Sequence, residues 1–231
     1  MLDPGKLRQA IGRSRELLDE AARQSGRAPE DVELLLAGKY IASEEVGALL
    51  EAGVRRLGEN RLQDMLSKMT ASQGALEFDF IGHLQRRKVR DVLPAVRLIH
   101  SVDSARLAAE IAARAEGPVR VLVEVNIGEE GTKAGIVPSD LERFVDEVSE
   151  HDNLVIGGLM SMPPMTEDPE VSRPFFAATR EFAHRLSERS DARHDFADLS
   201  MGTSQDYLVA TQEGATLVRV GRGLIDQARE G

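Results

Sequence analysis

Cysteine is absent from this chain of 231 residues, which excludes disulfides, thiolate metal sites and cysteine nucleophiles and is compatible with a reducing compartment, the cytoplasm by default. No apolar run approaches the ~20 residues that span a bilayer. Met1 to Ala10 carries charges where an export signal would need an apolar core, so neither membrane insertion nor export by that route is expected. Basic residues are the minority: 29 Lys and Arg against 39 Asp and Glu leave a formal charge of -10. Such a field repels polyanions and argues against nucleic acid and anionic membranes as partners, while leaving room for local sites that bind small anions. The one basic cluster, Arg86-Arg87-Lys88 with Arg90, reads as a solvated helix face. The five histidines, at 83, 100, 151, 184 and 194, show no metal-ligand spacing, and no metal is expected. His100-Ser101-Val102-Asp103 holds the residue types of a hydrolase triad, but neighbours on one strand end do not converge on one atom, and no G-x-S-x-G elbow exists.

What remains is the composition of an ordinary globular protein, 42% hydrophobic and 29% charged, read as one domain over residues 1–231. An amphipathic N-terminal stretch, with Leu7, Ile11, Leu17, Leu18 and Ala22 near helical spacing, leads into short apolar runs alternating with helical patterns, the signature of an α/β fold. The expected strands are Glu33–Gly38, Val54–Gly58, Phe78–Gly82, Arg97–Val102, Val119–Asn126, Leu154–Met162, Phe196–Ser200 and Leu217–Gly221. Most are continuously apolar, as parallel strands covered on both faces must be. Helix starts are marked by Ser43-Glu44-Glu45, by Asp103-Ser104, and by Pro138-Ser139-Asp140-Leu141-Glu142, which reads as a capping box. An open doubly wound sheet should show a glycine-rich phosphate loop after an early strand, and Gly38-Lys39-Tyr40 offers none. The expected fold is therefore a single (β/α)8 TIM-type barrel with an extra N-terminal helix.

In such barrels the site lies at the C-terminal ends of the strands. Lys39 ends the first strand, and an amine held beside apolar walls loses part of its preference for the charged form and becomes a nucleophile toward carbonyls. Ser200, Met201 and Gly202 after the seventh strand, and Gly221, Arg222 and Gly223 after the eighth, offer backbone N–H groups leading into helices, the recurrent phosphate site of these barrels. A reactive lysine and a phosphate cradle together describe pyridoxal 5′-phosphate (PLP) binding. The methionines at 160, 162 and 165 read as packing beside the rim.

Lys39 after a hydrophobic strand, Gly58-Glu59-Asn60, Phe80-Ile81-Gly82-x-Leu84-Gln85, Lys133-x-Gly135, Gly158-Leu159-Met160, Leu199-Ser200-Met201-Gly202 and Val218-Arg219-Val220-Gly221 together resemble the PLP homeostasis proteins, stand-alone relatives of the alanine racemase N-terminal domain. The resemblance covers nearly the whole chain. It implies a Schiff base on Lys39, a phosphate held by Ser200 and the backbone around Gly202 and Gly221, Asn60 near the cofactor, and Arg219 facing the pyridine nitrogen. A permanent cation there disfavours ring protonation and weakens the ring as an electron sink. The chain departs from the pattern at Gly38 and Tyr40, where serine and threonine are common, at Arg87, where asparagine is usual, and at Arg222, where a small hydroxyl is usual. The Arg222 guanidinium could replace the lost hydroxyl with a charge-assisted bond.

A racemase needs a base on each face of the substrate. The chain ends at Gly231, before the second domain that supplies a tyrosine in alanine racemases, and only Tyr40 and Tyr207 exist. Tyr40, next to Lys39 in an extended segment, should project to the opposite side; Tyr207 stays open. The expected function is thus a non-catalytic PLP-binding protein of intracellular PLP homeostasis, with PLP-dependent apo-enzymes as possible recipients and, from the resemblance, a monomeric state. The alternatives are a fold-type III racemase or decarboxylase, and a barrel that uses Lys39 as an aldolase-type Schiff-base lysine without PLP.

Overall fold

The computed structural model describes residues 1–131, 134–190 and 192–229. Lys133, part of one motif named above, lies outside them. Eight strands form the sheet: β1 (Glu33–Ala37), β2 (Arg56–Glu59), β3 (Glu77–Phe80), β4 (Leu98–Val102), β5 (Val119–Val125), β6 (Leu154–Ser161), β7 (Asp198–Thr203) and β8 (Leu217–Val220). Each pairs in parallel with the next, and β8 returns to β1 through Leu34↔Val218 and Leu36↔Val220, closing the barrel. Helix α1 (Pro4–Gln24) precedes the barrel. The outer ring contains α2 (Val46–Glu51), α3 (Leu62–Ser72), α4 (Val89–Val92), α5 (Ala105–Arg114), α6 (Leu141–Ser149), α7 (Arg173–Arg189), α8 (Tyr207–Gln212) and α9 (Arg222–Arg229). The expected barrel with an extra N-terminal helix is the observed fold. No helix among the described residues is long and apolar enough to cross a membrane.

Alternation along the strands divides the side chains in two. Leu36, Leu57, Phe78, Phe80, Ile99, Val121, Val123 and Val218 are buried in the main core between sheet and helices. Leu98, Leu122 and Met160 form a separate small cluster, on the lumen face. Helix α1 starts at Pro4 after Asp3, whose side chain accepts from the Lys6 N–H at 2.8 Å, a normal N-cap. Its Leu7, Leu18 and Ala22 are buried, whereas Leu17 faces solvent.

Local expectations differ from the structure at several points; β2 starts at Arg56 rather than Val54, and β3 ends at Phe80 rather than Gly82. Pro138–Asp140 forms a 3₁₀ turn ahead of α6, and no side-chain cap bond is made there, so Ser139 closes no capping box. Strand β1 stops at Ala37, and Gly38–Tyr40 is itself a 3₁₀ turn. Phe196 adopts φ +49°, a left-handed bend that interrupts extended backbone, so β7 starts at Asp198 and runs on to Thr203. Gly202 therefore lies inside β7, at φ +90°, pressed on α8: a Cβ there would come within 2.5 Å of the Ala210 Cβ.

Candidate functional site

At the C-terminal ends of the strands a cavity of about 550 Å³ opens, a size suited to a small-molecule ligand. Lys39 and Asn60 reach it from the ends of β1 and β2, Arg219 from β8, and Gly202, Ser204, Gly221 and Arg222 from the segments that end β7 and β8. The spacing of these residues along the chain follows from the barrel, which gathers successive strand ends around one mouth.

Lys39 stands at the rim and is exposed rather than held between apolar walls. Because Gly38–Tyr40 is a turn and not extended, Tyr40 does not project away from Lys39 as its position next to it in the chain suggested. Its ring lies 4.8 Å from the Lys39 Nζ and 5.1 Å from the Arg222 guanidinium. Hydrogen bonding to Lys39 holds the Tyr40 phenol below the usual tyrosine range, with burial opposing and the charges of Lys39 and Arg222 assisting. Two departures from the family pattern, Tyr40 and Arg222, are thus one physical feature. A third, Gly38, has its own cause: a Cβ at position 38 would meet the Glu59 Oε1 at 2.0 Å. Glu59 is fully buried, pairs with buried Lys68 at 2.6 Å, and Lys68 also donates to the Gly38 carbonyl at 3.0 Å, tying the Lys39 turn to α3. The fourth departure, Arg87, is exposed and bonds Gln85 at 3.1 Å, away from the cavity wall.

Arg219 is 7% exposed and has only neutral acceptors: the Ser200 carbonyl at 2.6 Å, the Ser200 hydroxyl, and the Ser161 carbonyl at 3.0 Å. Burial pushes its pKa down to about 10, against the pull of Asp206 and Glu124, so it remains a cation at neutral pH. The Asn60 Oδ1 is buried without a hydrogen-bond partner, an acceptor left for a ligand donor.

Ser200 and Met201 are both fully buried behind the wall rather than in it. The Ser200 hydroxyl is taken by Arg219 and by His100 Nδ1 at 2.9 Å, so the expectation that it bonds a phosphate is corrected. Ser204, which the sequence reading missed, lines the cavity instead, and its hydroxyl accepts the Gly221 N–H at 3.3 Å. A second serine four residues past Ser200, in Met201-Gly202-Thr203-Ser204, was the available signal. His100 was read as a scattered histidine; it is fully buried and also contacts the Asp79 carboxylate at 3.3 Å. Its chain neighbours do diverge as expected: Ser101 bonds the Gly82 carbonyl, and Asp103 meets His83 at the surface. Of the three methionines, Met160 packs inside, whereas Met162 and the 88%-exposed Met165 flank the cavity. Among the described residues no cluster of metal-ligating side chains occurs.

This parallel barrel, with a lysine at its first strand and a buried arginine at its last, has its counterpart among known proteins. Residues 37–226 match the model of the alanine racemase N-terminal domain family. Within that class the chain belongs to the pyridoxal phosphate homeostasis protein family: it is 38% identical to the member from Aquifex aeolicus over 96% of this chain and 98% of that one. The member from Pseudomonas aeruginosa is 34% identical over 89% and 88%. The solved structure of PipY from Synechococcus elongatus with PLP bound superimposes with a TM-score of 0.77 at 28% identity, covering 90% of this chain and 99% of that one.

Proposed function

We propose that this protein binds PLP at the barrel mouth, holds it as a Schiff base on Lys39, and serves intracellular PLP homeostasis as a carrier rather than as an amino-acid racemase. The observation that carries this reading is the convergence on one cavity of the Lys39 amine with Arg219, Arg222 and the backbone of Gly202 and Gly221. The residues present fit the group. Lys39 supplies the amine for its aldehyde, the unpartnered Asn60 Oδ1 an acceptor for its hydroxyl, and Arg219 a cation for its ring. Ser204, Arg222 and the N–H groups at Gly202 and Gly221 form the anion end of the site. When bound, PLP supplies an electron sink for carbanion chemistry. Arg219, held charged and already engaged by three acceptors, keeps the ring from taking a proton and so mutes that sink. The names of the relatives support the carrier reading. One barrel, monomeric and cytoplasmic, with PLP-dependent apo-enzymes as recipients, completes the proposal.

The test is an absorbance spectrum of the purified protein, before and after borohydride, with peptide mass mapping and Lys39→Ala alongside. A visible band reduced onto Lys39 is the expected result. No band after added PLP would overturn the proposal, and trapping of a sugar or keto acid instead would favour the cofactor-free barrel. Interconversion of amino-acid enantiomers at enzyme-like turnover would replace the carrier with the racemase.

A further inference from the structure

Five polar side chains run in sequence through the barrel lumen to the cavity. Arg97, at the start of β4, donates from Nε and from a terminal nitrogen to the two Asp79 oxygens, at 3.1 and 2.8 Å. Asp79 on β3 contacts His100 Nε2 at 3.3 Å, His100 on β4 contacts the Ser200 hydroxyl through Nδ1 at 2.9 Å, and that hydroxyl meets Arg219. Asp79, His100 and Ser200 are fully buried. Hydrogen-bond polarity leaves one consistent arrangement. Burial opposes ionisation of Asp79, but the bonds from His100 and Arg97 outweigh it and hold its pKa below the usual carboxylate value, so it is an acceptor only. Nε2 of His100 must then carry the ring proton. Burial lowers the His100 pKa, against the pull of Asp79, and Arg219 and Arg97 oppose a second proton. A neutral ring with its proton on Nε2 has a bare Nδ1, which accepts the Ser200 proton. Only lone pairs of the Ser200 oxygen are then left facing Arg219.

We propose that His100 is the positioning residue for Arg219: anchored by Asp79, it turns the Ser200 hydroxyl so that its oxygen receives the guanidinium, and so fixes the one buried cation of the PLP cavity. Without His100 the hydroxyl is free to point its proton at Arg219, which converts an attraction into a repulsion at hydrogen-bond distance. The local arrangement concerns this chain alone; its effect on the cofactor rests on the PLP reading above.

Two experiments separate these levels. Histidine 15N NMR of the wild-type protein, with His100→Leu to assign the signal, should show His100 as the neutral Nε2–H tautomer at pH 7. An Nδ1–H tautomer or an imidazolium would overturn the proposal whatever the cofactor does. PLP titration should then rank the variants. Asparagine can place its Oδ1 near the position of Nδ1, so His100→Asn retains an acceptor for Ser200, whereas His100→Leu retains none. PLP affinity should fall on the order of tenfold in His100→Leu and Ser200→Ala, with a shifted pH profile of the visible band, and less in His100→Asn. A merely structural role predicts another order, because a polar amide in that buried position destabilises at least as much as leucine. Equal affinities throughout, or losses that track the melting temperature, would sink the proposal while leaving Lys39 trapping intact. Absence of trapping in the wild type would sink the PLP reading and leave the tautomer measurement to decide this one.

Discussion

The two ends of the barrel lumen treat charge in opposite ways. At the N-terminal ends of the strands three arginines have carboxylate partners: Arg56 bridges Glu33 and Glu77, Arg97 grips Asp79 with two bonds, and Arg120 binds both Asp195 and Asp198. At the C-terminal ends Arg219 is buried against carbonyl and hydroxyl oxygens alone, and among the described residues neither Lys39 nor Arg222 has a carboxylate within ion-pair distance. Compensated charge stabilises a fold and asks for nothing more; a buried cation without a carboxylate, beside an unpartnered Asn60 oxygen, leaves a site that a ligand can complete. Substitutions at one end should therefore move stability, and substitutions at the other should move binding.

The largest effect tests the binding end. Lys39→Ala should abolish borohydride-trapped PLP entirely while changing unfolding free energy by no more than about 0.5 kcal/mol, because an exposed side chain is lost. A large loss of stability in a denaturant melt would break the comparison. Next comes the compensated end. Asp79→Ala removes the fully buried acceptor of two Arg97 bonds and leaves His100 without its anchor, and should cost on the order of 3 kcal/mol in urea unfolding. The half-exposed Arg97 can recover water, which keeps the loss toward the low end. Because Asp79 also belongs to the chain that reaches Arg219, some loss of PLP affinity should accompany the loss of stability there.

A smaller effect sharpens the contrast at the mouth. Arg222→Ser restores the small hydroxyl usual in the family and removes an exposed guanidinium from the proposed phosphate end. Equilibrium titration should show PLP held several-fold more weakly, with a shallower dependence on salt, and stability unchanged. Tyr40 should respond as well, since Arg222 is one of the two cations facing its ring.

The fold was legible because a barrel writes itself as local pattern: eight apolar runs, each ended by polar or glycine residues. The site was legible where its parts sit directly at strand ends, as Lys39, Asn60, Arg219 and Gly221 do. It was not legible where tertiary geometry intervened. One left-handed residue, Phe196, shifts β7 along the chain and moves the cavity wall from Ser200 toward Ser204. A 3₁₀ turn folds Tyr40 back toward Lys39. The Asp79–His100–Ser200 chain draws its members from three strands, whereas the sequence offered a histidine, a serine and an aspartate that are near in the chain and apart in space.

The smallest effects are those of pH, and two buried carboxylates give them opposite signs. Asp79 and Glu59 are both fully buried. Asp79 accepts from two cationic or polar groups, which outweigh burial and hold its pKa below the ordinary aspartate value of 3.8. Its contribution to stability is therefore present above that value and is lost as pH falls through the lowered one. Glu59 has Lys68 on one oxygen and nothing on the other. Burial wins there, so its pKa lies above the ordinary 4.5, and its contribution is present below 4.5 and lost as pH rises through the raised value. Denaturant melts across pH 2 to 8 should show Asp79→Asn flattening the loss of stability below pH 3.8, and Glu59→Gln flattening a decline above pH 4.5. If both substitutions flattened the same limb, burial would be setting both carboxylates alike, and the guanidinium and the imidazole around Asp79 would lose their role as the difference between them.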